Sequence, residues 1–164
     1  MPKTGASACL SCPVGFVQLQ TGQSKCEECL AGSYRGTTDN ANEACVPCAA
    51  GYYQEDAGQG QCLPCIPSSF NALTGRSEKC QPCAENTFSN APASTSCNAC
   101  GIGEFAEEGS AKCTRCGAGT YGNGCLPCPL ETARNSSDPD LTQCRQCKLG
   151  ETTTIEGAAV CDKW

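Results

Sequence analysis

Among 164 residues only 20 are Leu, Ile, Val or Phe, too few for one packed hydrophobic core, and 17 acidic against 11 basic residues leave a net charge of −6. A chain of that kind is ordinarily disordered, but 19 cysteines place it among disulfide scaffolds or multi-metal proteins. The acidic balance, with Lys and Arg scattered, excludes nucleic acid as the expected partner. No apolar run reaches the length of a membrane span, so no membrane insertion is expected within the chain.

Taken in order, Met1-Pro2-Lys3-Thr4-Gly5 holds no apolar signal segment, and residues 1–8 read as a leader or linker. A secreted protein with this start is expected to be a mature product or a piece of something longer. From Cys9 onward the chain is one unit repeated. The CxxC pairs are Cys9/Cys12, Cys26/Cys29, Cys45/Cys48, Cys62/Cys65, Cys80/Cys83, Cys97/Cys100, Cys113/Cys116, Cys125/Cys128 and Cys144/Cys147, followed by a single Cys161. Between pairs lie 13, 15, 13, 14, 13, 12, 8 and 15 residues, and 13 more precede Cys161.

Further positions recur. Three residues past the second cysteine stand Gly15, Gly32, Gly51, Gly103, Gly119 and Gly150, replaced elsewhere by Ser68, Asn86 and Glu131. A glycine there supplies positive φ or a close approach to a disulfide. Five residues past it stand Tyr34, Tyr53, Phe70, Phe88, Phe105 and Tyr121, expected to lie across the disulfide as each unit's one sizeable apolar contact. A small or turn-forming residue sits four before the closing cysteine: Gly22, Ala41, Gly58, Ala93, Gly109, Asp140 and Gly157. The unit reads as a short irregular β-hairpin with strands of three or four residues. No segment carries a helical apolar period.

The architecture expected is a disulfide-rich repeat array with little or no helix and no single hydrophobic core. Each unit contacts mainly its neighbours, so an elongated rod is expected. Tandem repeats fill 9–116 and 125–164. The short glycine-rich segment 117–124 between them is either a kink or a deletion without consequence.

The pattern is shown most fully by Cys45-Val-Pro-Cys48-Ala-Ala-Gly51-Tyr-Tyr53 and Cys113-Thr-Arg-Cys116-Gly-Ala-Gly119-Thr-Tyr121. It resembles the ephrin-receptor-like (GCC2/GCC3) cysteine-rich repeat, similar in appearance to EGF-like and TNF-receptor-type modules, over residues 9 to 161. The unit after Cys128 departs from it, lacking both the glycine and the aromatic.

CxxC also serves zinc and redox chemistry. Histidine is absent, nine pairs leave a remainder when divided into four-ligand sites, and Pro47, Pro64, Pro82 and Pro127 precede the second cysteine instead of following the first. Nine copies outside a βαβ setting argue against a thioredoxin-like role. Disulfides in an oxidising compartment are the reading that remains. The pairing expected is one closed loop per unit: Cys12–Cys26, Cys29–Cys45, Cys48–Cys62, Cys65–Cys80, Cys83–Cys97, Cys100–Cys113, Cys116–Cys125, Cys128–Cys144 and Cys147–Cys161. It gives Cys161 a partner, with Trp164 standing where a further cysteine would open the next loop, and leaves Cys9 unpaired or inter-chain. A crossed scheme such as Cys9–Cys26 with Cys12–Cys29 stays open, since spacing does not decide connectivity.

No catalytic residue, metal site or cofactor is expected: without histidine and with cysteines committed, no nucleophile–base arrangement forms. Glu27/Glu28, Glu55/Asp56 and Glu107/Glu108 read as solvated faces, and Asp138-Pro139-Asp140 lacks the interleaved ligands of a calcium loop. Asn135-Ser136-Ser137 is an N-glycosylation sequon, whereas Asn98-Ala99-Cys100 and Asn123-Gly124-Cys125 match only the rare N-x-C form. Thr37-Thr38, Ser94-Thr95-Ser96 and Thr152-Thr153-Thr154 are sites for O-glycans or plain exposed turns.

Two functions follow as expectations. One is a non-enzymatic extracellular spacer, stalk or building block of a coat, matrix or fibre, partnered by itself or by other surface and matrix proteins. The alternative is a receptor ectodomain or adhesion module binding a protein ligand, which needs a surface patch drawn from residues such as Arg35, Arg76, Arg115 and Trp164. An intracellular zinc protein is the third.

Overall fold

The computed structural model describes residues 11–20, 24–37 and 44–164. Cys9, Gly22, Thr38 and Ala41 lie outside the described residues. Among the described residues there is no helix, and the ordered elements are nine antiparallel two-stranded ribbons. The chain divides into two compact units, Met1–Cys65 with Asn71–Cys80 and Ile66–Phe70 with Gln81–Trp164.

Nine disulfides each close one loop: Cys12–Cys26, Cys29–Cys45, Cys48–Cys62, Cys65–Cys80, Cys83–Cys97, Cys100–Cys113, Cys116–Cys125, Cys128–Cys144 and Cys147–Cys161. In seven of the nine loops the opening cysteine is the inner one: Cys29, Cys48, Cys65, Cys83 and Cys128 are wholly buried and Cys12 and Cys116 nearly so, while Cys100, Cys147 and the closing cysteines are half-buried. Sulfur thus takes the place that aliphatic side chains hold in a larger core.

Each loop opens with a tight turn. The carbonyl one residue past the opening cysteine accepts the N–H three residues on, as from Ser33 to Leu30 at 3.0 Å, from Tyr52 to Ala49 at 3.0 Å and from Thr87 to Ala84 at 3.0 Å. The residue just inside that turn's end is left-handed, with φ of 80° at Gly15, 82° at Gly32 and 84° at Gly51. A positive φ at that third position is the mark of a type II turn, which favours glycine. Ser68 (80°), Asn86 (60°) and Glu131 (63°) hold the same conformation without being glycine. Ser33, Ser69, Thr87, Thr120 and Thr132 add a hydroxyl hydrogen bond to the same carbonyl.

The ribbons are shorter than the sequence implied, two residues per strand instead of three or four. The second strand is the xx of the next CxxC, so the disulfide ends the loop before the ladder can lengthen. Pairing puts the residue after the turn opposite the second x: Ser33 with Pro47, Tyr52 with Pro64, Ser69 with Pro82, Thr120 with Pro127. Proline is tolerated because a two-stranded ribbon has only edges. The aromatic faces the first x, giving the apolar pairs Tyr34 with Val46, Tyr53 with Leu63 and Tyr121 with Leu126, the contacts that stabilise such ribbons.

The short loop Cys116–Cys125 keeps this register, with Thr120–Tyr121 against Leu126–Pro127. Its missing residues come out of the turn, which Gly122 (69°), Gly124 (77°) and Cys125 (55°) carry round in left-handed conformations.

Candidate functional site

The aromatics Tyr34, Tyr53, Phe70, Phe88, Phe105 and Tyr121 are only half-buried. Apart from the opening cysteines, the position buried most often is the next residue, six past the opening cysteine; it is half-buried at Gln18 and Gly122, buried in the other loops, and mostly polar. Arg35 (4% exposed), Gln54 (4%), Asn71 (2%), Ser89 (1%), Arg134 (1%) and Thr153 (4%) all occupy it, with Ala106 (5%) the apolar member. This corrects the expectation that Arg35 is available on a binding surface; the aromatics keep the apolar ribbon contacts described above.

What fills the slot is main chain. Arg35 donates through Nη2 to the carbonyls of Cys12, at 2.8 Å, and Pro13, and through Nε to that of Phe16. Arg134 does the same six loops further along the chain: Nη2 to Cys116 at 3.2 Å and Gly117 at 2.8 Å, Nε to Thr120. In both cases the acceptors are the opening cysteine and the turn of the preceding loop. Asn71 uses the same route, its Nδ2 reaching the Tyr52 carbonyl at 2.8 Å. A guanidinium suits this slot because its planar fork meets several carbonyls at once. Among the described residues Nη1 of Arg134 is buried without a partner.

The same slot anchors a backbone ladder between successive loops. The left-handed residue of one loop donates its N–H to the slot carbonyl of the next: Gly15 to Arg35 (2.9 Å), Gly32 to Gln54 (2.7 Å), Gly51 to Asn71 (2.7 Å), Ser68 to Ser89 (2.7 Å), Asn86 to Ala106 (2.7 Å), Gly103 to Gly122 (3.1 Å) and Gly119 to Arg134 (2.6 Å). Its own carbonyl accepts from the next opening cysteine, from Cys29 to Gly15 (2.8 Å) through to Cys147 to Glu131 (2.9 Å). In the ninth loop the Trp164 N–H fills that role, donating to Gly150 at 3.3 Å. A second contact joins neighbouring loops in the other direction: the turn N–H groups of Gly58, Gly75, Gly109 and Gly157 donate to the carbonyls of the preceding loop's opening cysteine, Cys29, Cys48, Cys83 and Cys128, at 2.7 to 2.8 Å.

Other residues singled out from sequence are placed as follows. Arg76 is half-buried, with Nε donating to the Glu78 and Lys79 carbonyls. Arg115 and Trp164 are exposed in different parts of the second compact unit. Asp138 accepts from the Asn135 N–H at 2.9 Å, and Asp140 accepts from the Thr142 N–H at 2.8 Å, from its hydroxyl and from Gln143. Those Thr142 and Gln143 bonds hold the Asp140 carboxyl below the usual aspartate range, the Thr142 hydroxyl first. Both carboxylates are thus engaged in closing their own loop. Among the described residues no cluster of three or more His, Cys, Asp or Glu is placed to hold a metal. Thr153 is buried, which removes the middle of the 152–154 threonine run from any O-glycan. Asn135 is half-buried beside exposed Ser136 and Ser137.

A family model described as tyrosine-protein kinase ephrin type A/B receptor-like matches residues 2–39 and 36–76. Residues 2–76 carry ephrin-receptor-like repeats. The match spans under half of the chain, and the loops beyond it keep the same closed disulfide, left-handed turn and ribbon register. This repeat family is a non-catalytic, extracellular kind of module. A comparison with curated proteins finds no match. No helix among the described residues is long and apolar enough to cross a membrane.

Proposed function

We propose that the chain is a non-enzymatic extracellular structural protein, a spacer, stalk or building block of a cell-surface coat, matrix or fibre that reaches its place through the secretory pathway. The observation that supports this is the sameness of the ladder: seven successive loops hand on the same hydrogen bond from a left-handed residue to the slot carbonyl. Such an interface is made of main-chain atoms and does not specify a partner. The loops are closed by bridges 9 to 16 residues apart, which leaves little chain for a dedicated binding loop. Its partners on this reading are further copies or other matrix proteins. Electron microscopy of native material, with an antibody against the chain, tests the idea: label is expected along a fibre or coat. Dispersed label on compact monomers would sink it.

A second reading, a receptor or adhesion module for a protein ligand, draws on the receptor named in the family description. It predicts a surface cluster of residues whose replacement by alanine abolishes binding to cells. Arg35 is not among them, being buried.

A further inference from the structure

We propose that Asn135 is a modification site carrying one N-linked glycan, an inference that rests on the secretory-pathway reading above. Three tripeptides in the chain have the spacing for such a modification, and the structure separates them. In Asn98-Ala99-Cys100 and Asn123-Gly124-Cys125 the third residue is bridged, Cys100 to Cys113 and Cys116 to Cys125, so neither sulfur has a proton to offer the asparagine. Asn98 is also held in a ribbon opposite Phe88.

Asn135-Ser136-Ser137 is arranged differently. The Ser137 N–H and hydroxyl both donate to the Asn135 side-chain oxygen, at 2.8 and 2.7 Å. A main-chain N–H only donates, so the atom it meets is oxygen, and the amide nitrogen is fixed on the other branch. That nitrogen has no hydrogen-bond partner among the described residues. Elsewhere the amide nitrogens of inner residues are committed: Asn71 Nδ2 to the Tyr52 and Leu73 carbonyls, Gln54 Nε2 to the Gln61 carbonyl. The main chain of Asn135 is pinned by its N–H to the Asp138 carboxylate at 2.9 Å, directly after the buried Arg134. Ser136 and Ser137 are exposed. The nucleophilic atom is therefore the one the loop leaves unused.

The chemistry needs one co-reactant, a glycosyl donor on a lipid pyrophosphate. Asn135 Nδ2 forms a bond to the anomeric carbon as the bond from that carbon to the pyrophosphate oxygen breaks. The pyrophosphate leaves with the electron pair, and the one proton that Nδ2 gives up passes to solvent water. Two hydrogen bonds on the amide oxygen draw electron density from the nitrogen and acidify that proton.

The test is the full chain, expressed through a eukaryotic secretory pathway and purified with its disulfides intact. Intact mass is compared before and after peptide-N-glycosidase treatment in heavy-oxygen water. Expected is loss of a single glycan mass from most molecules, with one heavy oxygen on residue 135, and no shift in Asn135→Gln or Ser137→Ala. Ser137→Thr is expected to retain it. Unmodified Asn135 in secreted protein with all nine bridges formed would overturn the glycan while leaving the extracellular reading intact. Free thiols throughout the native protein would overturn both. A glycan on Asn98 or Asn123 would also overturn the assignment.

Discussion

A Cβ built on Gly15 would sit 1.9 Å from the carbonyl oxygen of Gly58, two loops further on. Gly32 stands in the same relation to Gly75, at 2.2 Å, and Gly119 to Gly157, at 1.9 Å. The glycine of the turn is thus required twice, for its left-handed backbone and for the close passage of another loop's turn. Gly15→Ala is expected to cost about 3 kcal/mol or more, since left-handed strain and a displaced carbonyl act together. Gly150 is also left-handed, at φ 83°, but its Cβ would meet nothing within 4 Å. Gly150→Ala should cost only about 1 kcal/mol. Denaturant unfolding of the two variants beside the parent checks the difference.

Arg134 is expected to be a structural clamp. Arg134→Ala leaves the Cys116, Gly117 and Thr120 carbonyls without their donor and should cost about 3 kcal/mol. Arg134→Lys should recover only part of this, because a single ammonium cannot reproduce the fork. Hydrogen exchange at the Gly119 amide, which donates to the Arg134 carbonyl at 2.6 Å, should quicken in both variants and more in the alanine one. Full recovery by lysine would mean that charge alone is at work.

The Asp140 loop should be sensitive to acid. Its carboxyl is lowered in the folded protein, chiefly by the Thr142 hydroxyl and then by the Thr142 N–H and Gln143. A lowered folded value means that the ionised group favours the folded loop at all pH above the ordinary aspartate value of about 3.9. The contribution fades as pH falls through the lowered folded value. Thr142 amide shifts followed by NMR should show that transition, and Asp140→Asn should abolish it.

Oxidation state is directly measurable. Alkylation of native protein without reductant should leave eighteen cysteines unmodified, those of the nine bridges. Non-reduced peptide mapping should recover each loop as its own linked pair, Cys83 with Cys97 for example. Links such as Cys12 to Cys29 would refute the closed-loop arrangement.

The sequence shows the repeat and the lack of helix plainly, because cysteine spacing and the turn glycine are local signals. It also marks Ser68, Asn86 and Glu131 as substitutes, without indicating that they keep the glycine's left-handed backbone. At Asn86 the structure supplies a local setting: its side chain lies against Gly124 of the shortened loop, 3.0 Å from where a Cβ there would sit. The slot six past each opening cysteine is harder to read. Arg35 and Arg134 look like solvated charges in a polar loop, and their burial comes from carbonyls 14 to 23 residues upstream. The available signal is positional: the residue after the aromatic is repeatedly one with hydrogens to donate. Strand length is not legible in the same way, because each ribbon stops at two residues where the disulfide closes the loop.

The rungs between loops use amide hydrogens and carbonyl oxygens, which nearly every residue carries. A loop can therefore be copied, shortened, as between Cys116 and Cys125, or rewritten over most of its side chains while still fitting both neighbours. Selection on such a molecule acts mainly on the spacing of cysteines and on a few left-handed positions. The faces turned to solvent are free to drift, or to acquire new roles, without disturbing what joins one loop to the next.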